Sequence, residues 1–472
     1  MKVLFVTPES YPFATSGGLG DVSYALPKAL RKRLIGCRVV MPLYRSVPQE
    51  LRDNMTFLCS LSVPVSWRRQ YCGVFEAKVD GVIYYLLDNQ YYFNRDTLYG
   101  HYDDAERFAF FSRAVLEMLS FIDFKPDVIH CNDWQSALTP VYYSLYYASR
   151  SGYENIKTVF TIHNIQYQGQ YGNEILEDVF GIAPEYASLV QYGDCVNLMK
   201  GAIEAANYVT TVSDTYSKEI LDPWFSHGLH DILRERRWKL TGIVNGIDTA
   251  LYDPAGDPMI YAAYDEQTLE KKAANKAALQ QELGLEEKPD VPLLSMVSRM
   301  VEHKGFDLVK YAMNELMQRN MQMVILGSGD WVFEDFFRKM AEAYPRKFAL
   351  WLGFNQTLAH KVYAGSDMFL MPSKSEPCGL SQMVALRYGT VPIVRATGGL
   401  RDTIRDSGDN EGNGFVFEKY DAYDMLHAVD RALEGYSNPE GWQVLVRRAM
   451  QCDNSWGRSA NEYIRLYKNL LK

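Results

Sequence analysis

Short apolar, β-branched runs recur along the whole chain, separated by longer stretches that mix apolar and polar residues. Continuous short apolar runs are typical of strands buried on both faces, and the mixed stretches are typical of helices. This alternation predicts an α/β protein whose parallel sheets are covered by helices. The predicted strands are Val3–Thr7, Arg38–Pro42, Gly73–Val79, Val82–Asp88, Asp127–Cys131, Thr158–Ile162, Tyr208–Val212, Leu293–Ser298, Gln322–Leu326, Phe348–Leu352, Met368–Met371, Val391–Val394 and Gly414–Phe417.

A run rich in Gly, Pro, Asp and Asn at residues 245–258 interrupts this alternation and predicts a domain boundary. We expect an amino-terminal Rossmann-like domain over residues 1–244 and a second over residues 245–455. The last run, 456–472, is predicted to be a helix that packs back on the first domain. A ligand would then bind in the cleft between the domains, at the carboxyl edges of both sheets.

The composition narrows the class of protein. The chain has 58 acidic and 49 basic residues and a net charge of −9, which argues against a nucleic acid or an anionic membrane as partner. Seven scattered cysteines without a C-x-x-C pair indicate neither a zinc site nor a disulfide framework. The chain begins directly with a strand, so no signal peptide is expected, and no apolar run is long enough to span a bilayer. We expect a reduced, cytoplasmic protein.

The richest stretch for chemistry is 373–400, in which a carboxylate precedes one glycine turn and a strand leads into a second. Such turns at the carboxyl ends of adjacent strands present backbone N–H groups and helix N-termini, which suit a diphosphate. A nearby carboxylate suits sugar hydroxyls, although an isolated Glu there is also explained as a buried structural acid. The candidate residues are Glu376, Cys378, Gly379, Leu380, Thr397, Gly398 and Gly399.

Two further segments could bind phosphate. Gly17 and Gly18 follow the first strand and open a helix, where the free backbone and the helix N-terminus favour an anion. Arg299 and Lys304 follow another strand, and a guanidinium can bind two phosphate oxygens while an ammonium supplies a compact charge. Incidental bases at a solvated strand end would explain the second segment equally well.

Several common cofactor patterns are incomplete or missing. Neither the run at 18–20 nor the run at 327–329 has the third glycine of a dinucleotide fingerprint, and no Walker A sequence occurs. These gaps disfavour an NAD oxidoreductase. No Asp-x-Asp pair occurs either, so no metal site is predicted, and Arg299, Lys304 and helix termini would stabilise a leaving diphosphate instead.

Polar clusters follow two neighbouring strands of the first half, H-C-N-D-W at 130–134 and H-N-I-Q-Y-Q-G at 163–169. Amide and carboxylate groups bind hydroxyls and an aromatic ring covers a pyranose face, so the two clusters suggest one sugar site. A lone His at such a position is more often structural. The aromatic stretch 88–93, with Tyr99 and Tyr102, could form a platform for a glucan or pack in the core.

In this order the motifs resemble those of the bacterial glycogen synthase and plant starch synthase family, retaining glucosyltransferases of the GT-B fold. The resemblance runs from Met1 to about Trp456. It implies two Rossmann-like domains facing each other across a deep cleft, the first on the acceptor side and the second binding the donor. The implied reaction transfers glucose from ADP-glucose to the non-reducing 4-OH of an α-1,4-glucan, glycogen or starch, with retention and without a cofactor. The sequence leaves ADP-glucose and UDP-glucose open as donors.

The resemblance also assigns roles by motif position. Arg299 and Lys304 are expected on the diphosphate and Glu376 near the glucose hydroxyls, with Gly398 and Gly399 offering N–H groups. The other implied positions are Asp21 and Asn164 by the donor, His163 by the sugar 6-OH, Asp133 ordering the cleft, and Phe354 against the adenine where the family often has Tyr.

Two features bear on mechanism. Retention usually requires a carboxylate nucleophile, but Val384 stands eight positions after Glu376 and no second acid accompanies it, which favours same-face attack assisted by the departing phosphate. Thr15 stands where the family usually has Lys in its first loop. This change suggests weaker donor binding, an altered donor preference or a charge supplied from elsewhere. The alternative function is a catalytically weak or regulatory glucan-binding paralogue.

Overall fold

The computed structural model describes all 472 residues and divides them into two compact units. The first unit is Met1–Asn245 together with Trp456–Lys472, and the second is Gly246–Ser455. The change from one unit to the next therefore falls at the start of the Gly- and Pro-rich run. No helix combines the length and the apolar character that crossing a membrane requires.

The first unit is built on a nine-stranded sheet with helices on it. Its strands are β1 (Lys2–Val6), β2 (Gly36–Pro42), β3 (Thr56–Val65), β4 (Arg68–Val79), β5 (Val82–Asp88), β6 (Val128–Asn132), β7 (Lys157–Ile162), β8 (Gln170–Tyr171), β9 (Gln191–Tyr192), β10 (Cys195–Asn197), β11 (Tyr208–Thr211) and β12 (Leu240–Gly242). Its helices before the second unit are α1 (Gly18–Lys32), α2 (Gln49–Asp53), α3 (Gln90–Phe93), α4 (Asp104–Glu117), α5 (Leu138–Tyr142), α6 (Ile175–Asp178), α7 (Leu198–Ala205), α8 (Asp214–Glu219) and α9 (His230–Glu235).

The strand order of this sheet is β12-β11-β7-β6-β1-β2-β5-β4-β3. All neighbours from β12 to β5 are parallel, whereas β4 and β3 are antiparallel. The order reverses at β1 and β6, so the loops after these two strands flank a topological switch point, where α/β sheets bind ligands. The strands β8, β10 and β9 form a separate small antiparallel sheet.

The second unit repeats this plan with a six-stranded parallel sheet. Its strands are β13 (Leu293–Val297), β14 (Gln322–Gly327), β15 (Phe348–Leu352), β16 (Met368–Met371), β17 (Val391–Arg395) and β18 (Phe415–Phe417). Its helices are α10 (Lys272–Glu282), α11 (Phe306–Gln318), α12 (Trp331–Ala343), α13 (Gln356–Gly365), α14 (Ser381–Arg387), α15 (Gly398–Thr403), α16 (Ala422–Tyr436) and α17 (Pro439–Met450).

The order β15-β14-β13-β16-β17-β18 is that of a doubly wound Rossmann sheet. All five neighbouring pairs are parallel. Most of the strand residues are apolar and buried, as the continuous apolar runs predict. The switch point lies between β13 and β16. Their carboxyl ends lead into the segments that carry Arg299, Lys304 and Glu376.

The chain ends in α18 (Trp456–Leu470), which belongs to the first unit. Its Tyr467 hydroxyl lies 2.6 Å from Nδ1 of the buried His130, and the Ser459 hydroxyl donates to the carbonyl oxygen of Val244 at 2.5 Å. From the other side, a guanidinium nitrogen of Arg33 donates to the carbonyl oxygen of Gly457 at 3.0 Å. These contacts hold the helix against the first unit.

Every predicted strand is present, and most of the ends agree within two residues. The pair β4–β5 forms the predicted hairpin, with Asp80 and Gly81 at positive φ in its turn. Five strands were not predicted, namely β3 and the short strands β8, β9, β10 and β12. Strand β3 pairs with β4 at the sheet edge, and β4 begins at Arg68, five residues before the predicted start. The apolar side chains Phe57 and Leu58 of β3 are exposed, so β3 lacks the buried pattern used to identify strands.

Candidate functional site

The carboxylate of Glu376 and the ammonium of Lys304 form a direct ion pair at the switch point of the second unit. The Lys304 Nζ lies 2.6 Å from Oε2 and 2.9 Å from Oε1 of Glu376, and the Ser373 hydroxyl donates to Oε2 at 3.0 Å. Glu376 is only 5% exposed, whereas the Lys304 side chain is 20% exposed. An ammonium has three N–H donors, so one proton of Lys304 remains available for another acceptor.

The loop after β13 approaches the loop after β16 closely because of a glycine. Gly305 has φ +82°, and a Cβ there would overlap the carbonyl oxygen of Pro372. Nearby, the Lys374 N–H donates to the carbonyl oxygen of His303 at 2.9 Å. The glycine of the S-R-M-V-E-H-K-G segment therefore brings Lys304 to Glu376 by allowing backbone contact, a role that left-handed glycine fills at no steric cost.

Arg299 follows β13 by two residues and is exposed. Its guanidinium makes no hydrogen bond or ion pair with another residue. Burial first, and then the positive charges of Lys304 and Arg299, lower the pKa of His303 to about 4. Lys304, Arg299 and Glu376 all influence the charge of His303, so the two cations lie in the same region as Glu376. The N–H donors of Arg299 are free to bind a ligand.

A buried amide ties together the two glycine turns of the 373–400 stretch. Nε2 of Gln382, a fully buried residue, donates to the carbonyl oxygens of Cys378 at 3.0 Å and Gly379 at 2.9 Å, and lies 3.1 Å from the Thr403 hydroxyl oxygen. The Thr403 hydroxyl in turn donates to the carbonyl oxygen of Gly399 at 2.7 Å. We call Gln382 and Thr403 the turn clasp.

The second glycine turn holds the backbone of Glu376. The Gly399 N–H donates to the carbonyl oxygens of Glu376 at 3.1 Å and Pro377 at 3.2 Å. Gly398 has φ +45°, and a Cβ there would overlap the Glu376 carbonyl oxygen. The N–H of Gly399 is therefore directed at the protein, and this turn fixes the position of Glu376.

In the first unit, the glycine loop before α1 holds a carboxylate of the protein itself. The N–H groups of Gly17 and Gly20 donate to Oε1 of Glu9 at 3.2 and 3.0 Å. The Ser16 N–H donates to Oε2 at 3.2 Å, the Ser16 hydroxyl also bonds Oε2, and the Tyr99 hydroxyl donates to it at 2.8 Å. Burial raises the pKa of Glu9 even though these hydrogen bonds oppose the shift. In this structure the N–H groups of the loop therefore bind the Glu9 carboxyl, and its role in phosphate binding stays a prediction.

Thr15 and Asp21 stand at the open side of this loop, and both residues are exposed, as is Gly18. A Cβ at Gly20 would overlap the methyl group of Thr15, so the Thr15 side chain packs over Gly20. Asp21 is exposed as a residue, but its carboxyl is partly removed from solvent. This desolvation, together with the charge of Glu9, raises the pKa of Asp21 to about 6. No basic side chain forms an ion pair with Glu9 or Asp21, and the neighbouring position 15 carries a neutral Thr.

The clusters after β6 and β7 meet, as their positions at neighbouring strand ends predict. Oδ1 of Asp133 accepts the N–H groups of His163 at 2.7 Å and Asn164 at 3.4 Å. Burial raises the Asp133 pKa to about 7. Asp133 has φ +54°, a strained conformation for a residue other than glycine, which turns its carboxyl toward the loop after β7.

His163 is held as a neutral imidazole with one nitrogen free. Nδ2 of Asn132 donates to the carbonyl oxygen of Val6 at 2.9 Å, so Asn132 Oδ1 is the acceptor for His163 Nε2 at 2.9 Å. The proton therefore resides on Nε2, and Nδ1 can accept a hydrogen bond from a hydroxyl. Burial lowers the His163 pKa to about 3, so the ring is uncharged near neutral pH.

The remaining candidates differ in accessibility. Phe354 is 91% exposed and presents a free aromatic ring. Leu380 and Thr397 are the N-cap residues of α14 and α15. Cys378 is buried, and its backbone carbonyl oxygen accepts a hydrogen bond from Gln382 of the turn clasp. Within each unit the predicted residues cluster at the carboxyl edge of the sheet.

Sequence reasoning missed four residues that complete these clusters, whereas Asn132 and Tyr99 already stood in segments considered for sugar or glucan binding. Glu9 carried the same signal as Glu376, a carboxylate just beyond a strand, and Ser373 stood within the stretch already singled out. Gln382 and Thr403 gave no signal, because only the fold brings a helical amide to a turn. The missed residues are Glu9, Ser373, Gln382 and Thr403.

Comparison with known proteins gives consistent relatives over the whole chain. The family model of the starch synthase catalytic domain matches residues 2–235, and that of glycosyl transferases group 1 matches residues 277–443. Glycogen synthases from Geobacillus thermodenitrificans and Geobacillus stearothermophilus are 52% and 51% identical, over 100% of this chain and 98% of theirs. The catalytic domain of starch synthase IV from Arabidopsis thaliana, solved with ADP and acarbose, is 35% identical with a TM-score of 0.93, covering 99% of each chain.

Proposed function

The chain belongs to the glycogen and starch synthase family of GT-B glycosyltransferases, and we propose that it transfers glucose from ADP-glucose to the non-reducing 4-OH of an α-1,4-glucan. The family supplies the reaction type, a glycosyl transfer of the glycogen synthase type. The donor nucleotide, the acceptor linkage, retention of configuration and independence of a metal are the parts that we propose. The observation that carries them is the Lys304–Glu376 pair beside the unpartnered Arg299.

The second unit binds the donor in this proposal. Glu376 and Lys304 neutralise each other at 2.6 Å, so the Arg299 guanidinium supplies the net positive charge for a diphosphate, and the third proton of Lys304 adds a hydrogen bond. Charge-assisted bonds of about 1.5–3 kcal/mol each suffice for micromolar binding. The exposed ring of Phe354 offers a face for the adenine. The ADP in the related starch synthase structure supports this assignment.

The first unit contributes to sugar binding. The free Nδ1 of His163 accepts a sugar hydroxyl, which we assign to the glucose 6-OH, and Asp133 orients the backbone that carries it. Thr15, Gly17, Gly18, Asp21 and Asn164 line the donor side of this unit. Since Glu9 already occupies the amides of Gly17 and Gly20, the glycine loop acts there mainly by holding Asp21 and Thr15 in place.

Transfer with retention then proceeds by attack from the face that the diphosphate leaves. Glu376 is tied to Lys304 and Ser373, and no second carboxylate stands beside it in the second unit to act as a nucleophile. The departing phosphate oxygen accepts the proton of the attacking 4-OH, so the bond to phosphate breaks as the new glycosidic bond forms. Arg299 and Lys304 stabilise the charge that develops on the diphosphate, which is electrostatic catalysis by preorganised donors.

The proposal is tested by ADP release from ADP-glucose in the presence of glycogen and EDTA, with UDP-glucose in a parallel reaction. We expect release with ADP-glucose and α-1,4-linked product, and a roughly 10²-fold lower kcat for Glu376→Gln. A preference for UDP-glucose or a requirement for a divalent metal would overturn the donor or the metal part of the proposal. Absence of transfer with either donor would favour a catalytically weak or regulatory glucan-binding protein.

A further inference from the structure

The tip of the β3–β4 hairpin carries an exposed tryptophan held in one orientation. Trp67 is 73% exposed, yet its indole N–H donates to Oδ1 of Asp178 at 2.6 Å. Arg68 donates to Oδ2 of the same carboxylate at 3.0 Å, and the Ser66 hydroxyl donates to the carbonyl oxygen of Glu177 at 2.6 Å. The turn is therefore docked on α6, and the ring is fixed by its edge.

One face of this indole is covered and the other is open. The Arg68 guanidinium lies 4.5 Å from the ring centroid, a cation–π contact. No aromatic ring or other cation lies against Trp67, and most of its surface is in solvent. A flat apolar face that is already oriented binds a second flat surface with little loss of conformational entropy, and the open face of a pyranose ring is such a surface.

The hairpin tip lies at the same edge of the sheet as the candidate sugar site of this unit. Asp88, the last residue of β5, pairs with Gly73 of the antiparallel β4. The part of β4 before Gly73, which begins at Arg68, and the turn before it therefore extend beyond the end of β5. Because β5 is parallel to its neighbours from β2 to β7, it ends at the edge that carries Asp133 and His163. Trp67 therefore lies at the carboxyl edge of the sheet, the same edge as Asp133 and His163.

Part of the aromatic stretch at 88–93 is connected to this tip. Arg68 also lies 3.7 Å from Glu106, which accepts the buried Tyr92 hydroxyl at 2.5 Å. The Tyr92 ring contacts the ring of Tyr91 at a centroid distance of 5.1 Å, and Tyr91 is 65% exposed. Two exposed rings, Trp67 and Tyr91, are thus connected through the contacts of Arg68, Glu106 and Tyr92.

We propose that the open face of Trp67 is a remote binding site for an α-glucan chain of the polymeric acceptor, with Tyr91 as a neighbouring contact. The assignment rests on the proposed glucan acceptor. A chain bound at this site raises the effective concentration of non-reducing ends at the reaction edge. The site therefore favours a long or branched acceptor over one too short to reach the hairpin tip.

The test compares Trp67→Ala with Trp238→Ala in the full chain. Trp238 is 72% exposed and precedes β12, at the opposite edge of the same sheet, so it matches Trp67 in exposure but not in place. Binding is measured without turnover by retardation in native gels containing glycogen, and KM is measured for glycogen and for maltotriose. Trp67→Ala should weaken glycogen binding and raise the glycogen KM about fivefold, with the maltotriose KM and Trp238→Ala unchanged.

Two additional variants separate the ring from its support. Trp67→Tyr keeps a flat ring and should retain most of the glycogen retardation, whereas Asp178→Ala frees the indole and should lose part of it. Unchanged retardation in Trp67→Ala, or equal loss in Trp238→Ala, would overturn the proposal. A dimer in light scattering that Trp67→Ala dissociates would also overturn it, by assigning the face to a second copy of the chain. Failure of ADP release with normal retardation would count against the proposed reaction alone.

Discussion

The ammonium of Lys304 lies within 2.9 Å of both carboxylate oxygens of Glu376. This pair neutralises a carboxylate that would otherwise repel a diphosphate at the switch point of the second unit. The neighbouring Arg299 has no protein partner, so its charge is available to a ligand. The sequence alone assigns both cations to the diphosphate. In the structure Lys304 holds Glu376, and Arg299 is the cation left to bind the anion.

This division predicts different effects on stability for the two cations. Lys304→Met leaves a buried, unpaired carboxylate and should lower the free energy of unfolding by about 3 kcal/mol, whereas Arg299→Ala removes an exposed side chain and should change it by less than about 0.5 kcal/mol. Urea denaturation measures both. The double variant Lys304→Met/Glu376→Gln removes the unpaired charge and should recover much of the loss, and equal losses in the two single variants would contradict the assignment.

The turn clasp predicts an effect on catalysis from residues behind the site. Gln382→Met keeps the side-chain volume but removes the N–H donors to the Cys378 and Gly379 carbonyls, and Thr403→Val removes the hydroxyl that holds Gly399. Both should lower kcat about tenfold or more and leave the glycogen KM unchanged, since the support of Glu376 is lost. Thr403→Ser retains the hydroxyl and is the control.

A positioning role for the clasp requires that Thr403→Ser remain close to the unmodified enzyme in steady-state kinetics. If Thr403→Val and Gln382→Met lose thermal stability but keep native turnover, the clasp only stabilises the fold.

The buried carboxyl of Asp133 predicts a pH-dependent stability. Burial raises its pKa to about 7 from an ordinary 3.8, so the folded chain retains a proton that the unfolded chain releases. That contribution to stability is present at low pH and is lost as pH rises through about 7. Asp133→Asn keeps the acceptor oxygen without the charge, and its gain in Tm should be larger at pH 8 than at pH 5.

Asp178 provides the control of opposite sign. Hydrogen bonds from Trp67 and Arg68 lower its pKa, so its contribution is present at neutral pH and is lost on acidification. Asp178→Asn should lower Tm slightly at pH 8 and less at acid pH. A Tm gain of Asp133→Asn that does not grow with pH would show that Asp133 is ionised throughout this range.

Thr15 predicts a gain of donor affinity by substitution. A lysine at this position would supply the cation that the acidic pair Glu9 and Asp21 lacks, and it would stand where the family usually has Lys. Thr15→Lys should therefore lower the donor KM, and Thr15→Val, which keeps the shape without the hydroxyl, should leave it unchanged. Steady-state kinetics with ADP-glucose decide the point, and an unaltered KM in Thr15→Lys would remove position 15 from the donor site.

Most of the architecture was predictable because it follows from local pattern. Parallel strands buried on both faces give continuous apolar runs. The glycine turns after them indicated where Glu376 and Lys304 lie, and the polar cluster after a strand indicated where His163 lies. The two-residue turn at Asp80 and Gly81 was equally legible, since both residues tolerate positive φ. Apolar runs and turns of this kind can be recognised from the sequence because each depends only on a few neighbouring residues.

Features that depend on distant residues were not predictable. The Gly399 N–H points at the Glu376 carbonyl oxygen because two loops from different strands meet. Glu9 was missed for another reason, because the fold of the short segment between it and Gly17 decides that its carboxyl reaches the glycine loop. The amides expected to face a diphosphate are partly used inside the protein for these reasons. Trp67 carried no signal either, since its fixed orientation depends on Asp178, 111 positions later.

The most direct test of the anion site is the affinity for ADP in EDTA, measured by isothermal titration calorimetry for the unmodified chain and for Arg299→Ala. We expect micromolar binding without a divalent metal, weakened at least about tenfold in Arg299→Ala. Binding that requires Mg²⁺, or that is the same in both proteins, would contradict it.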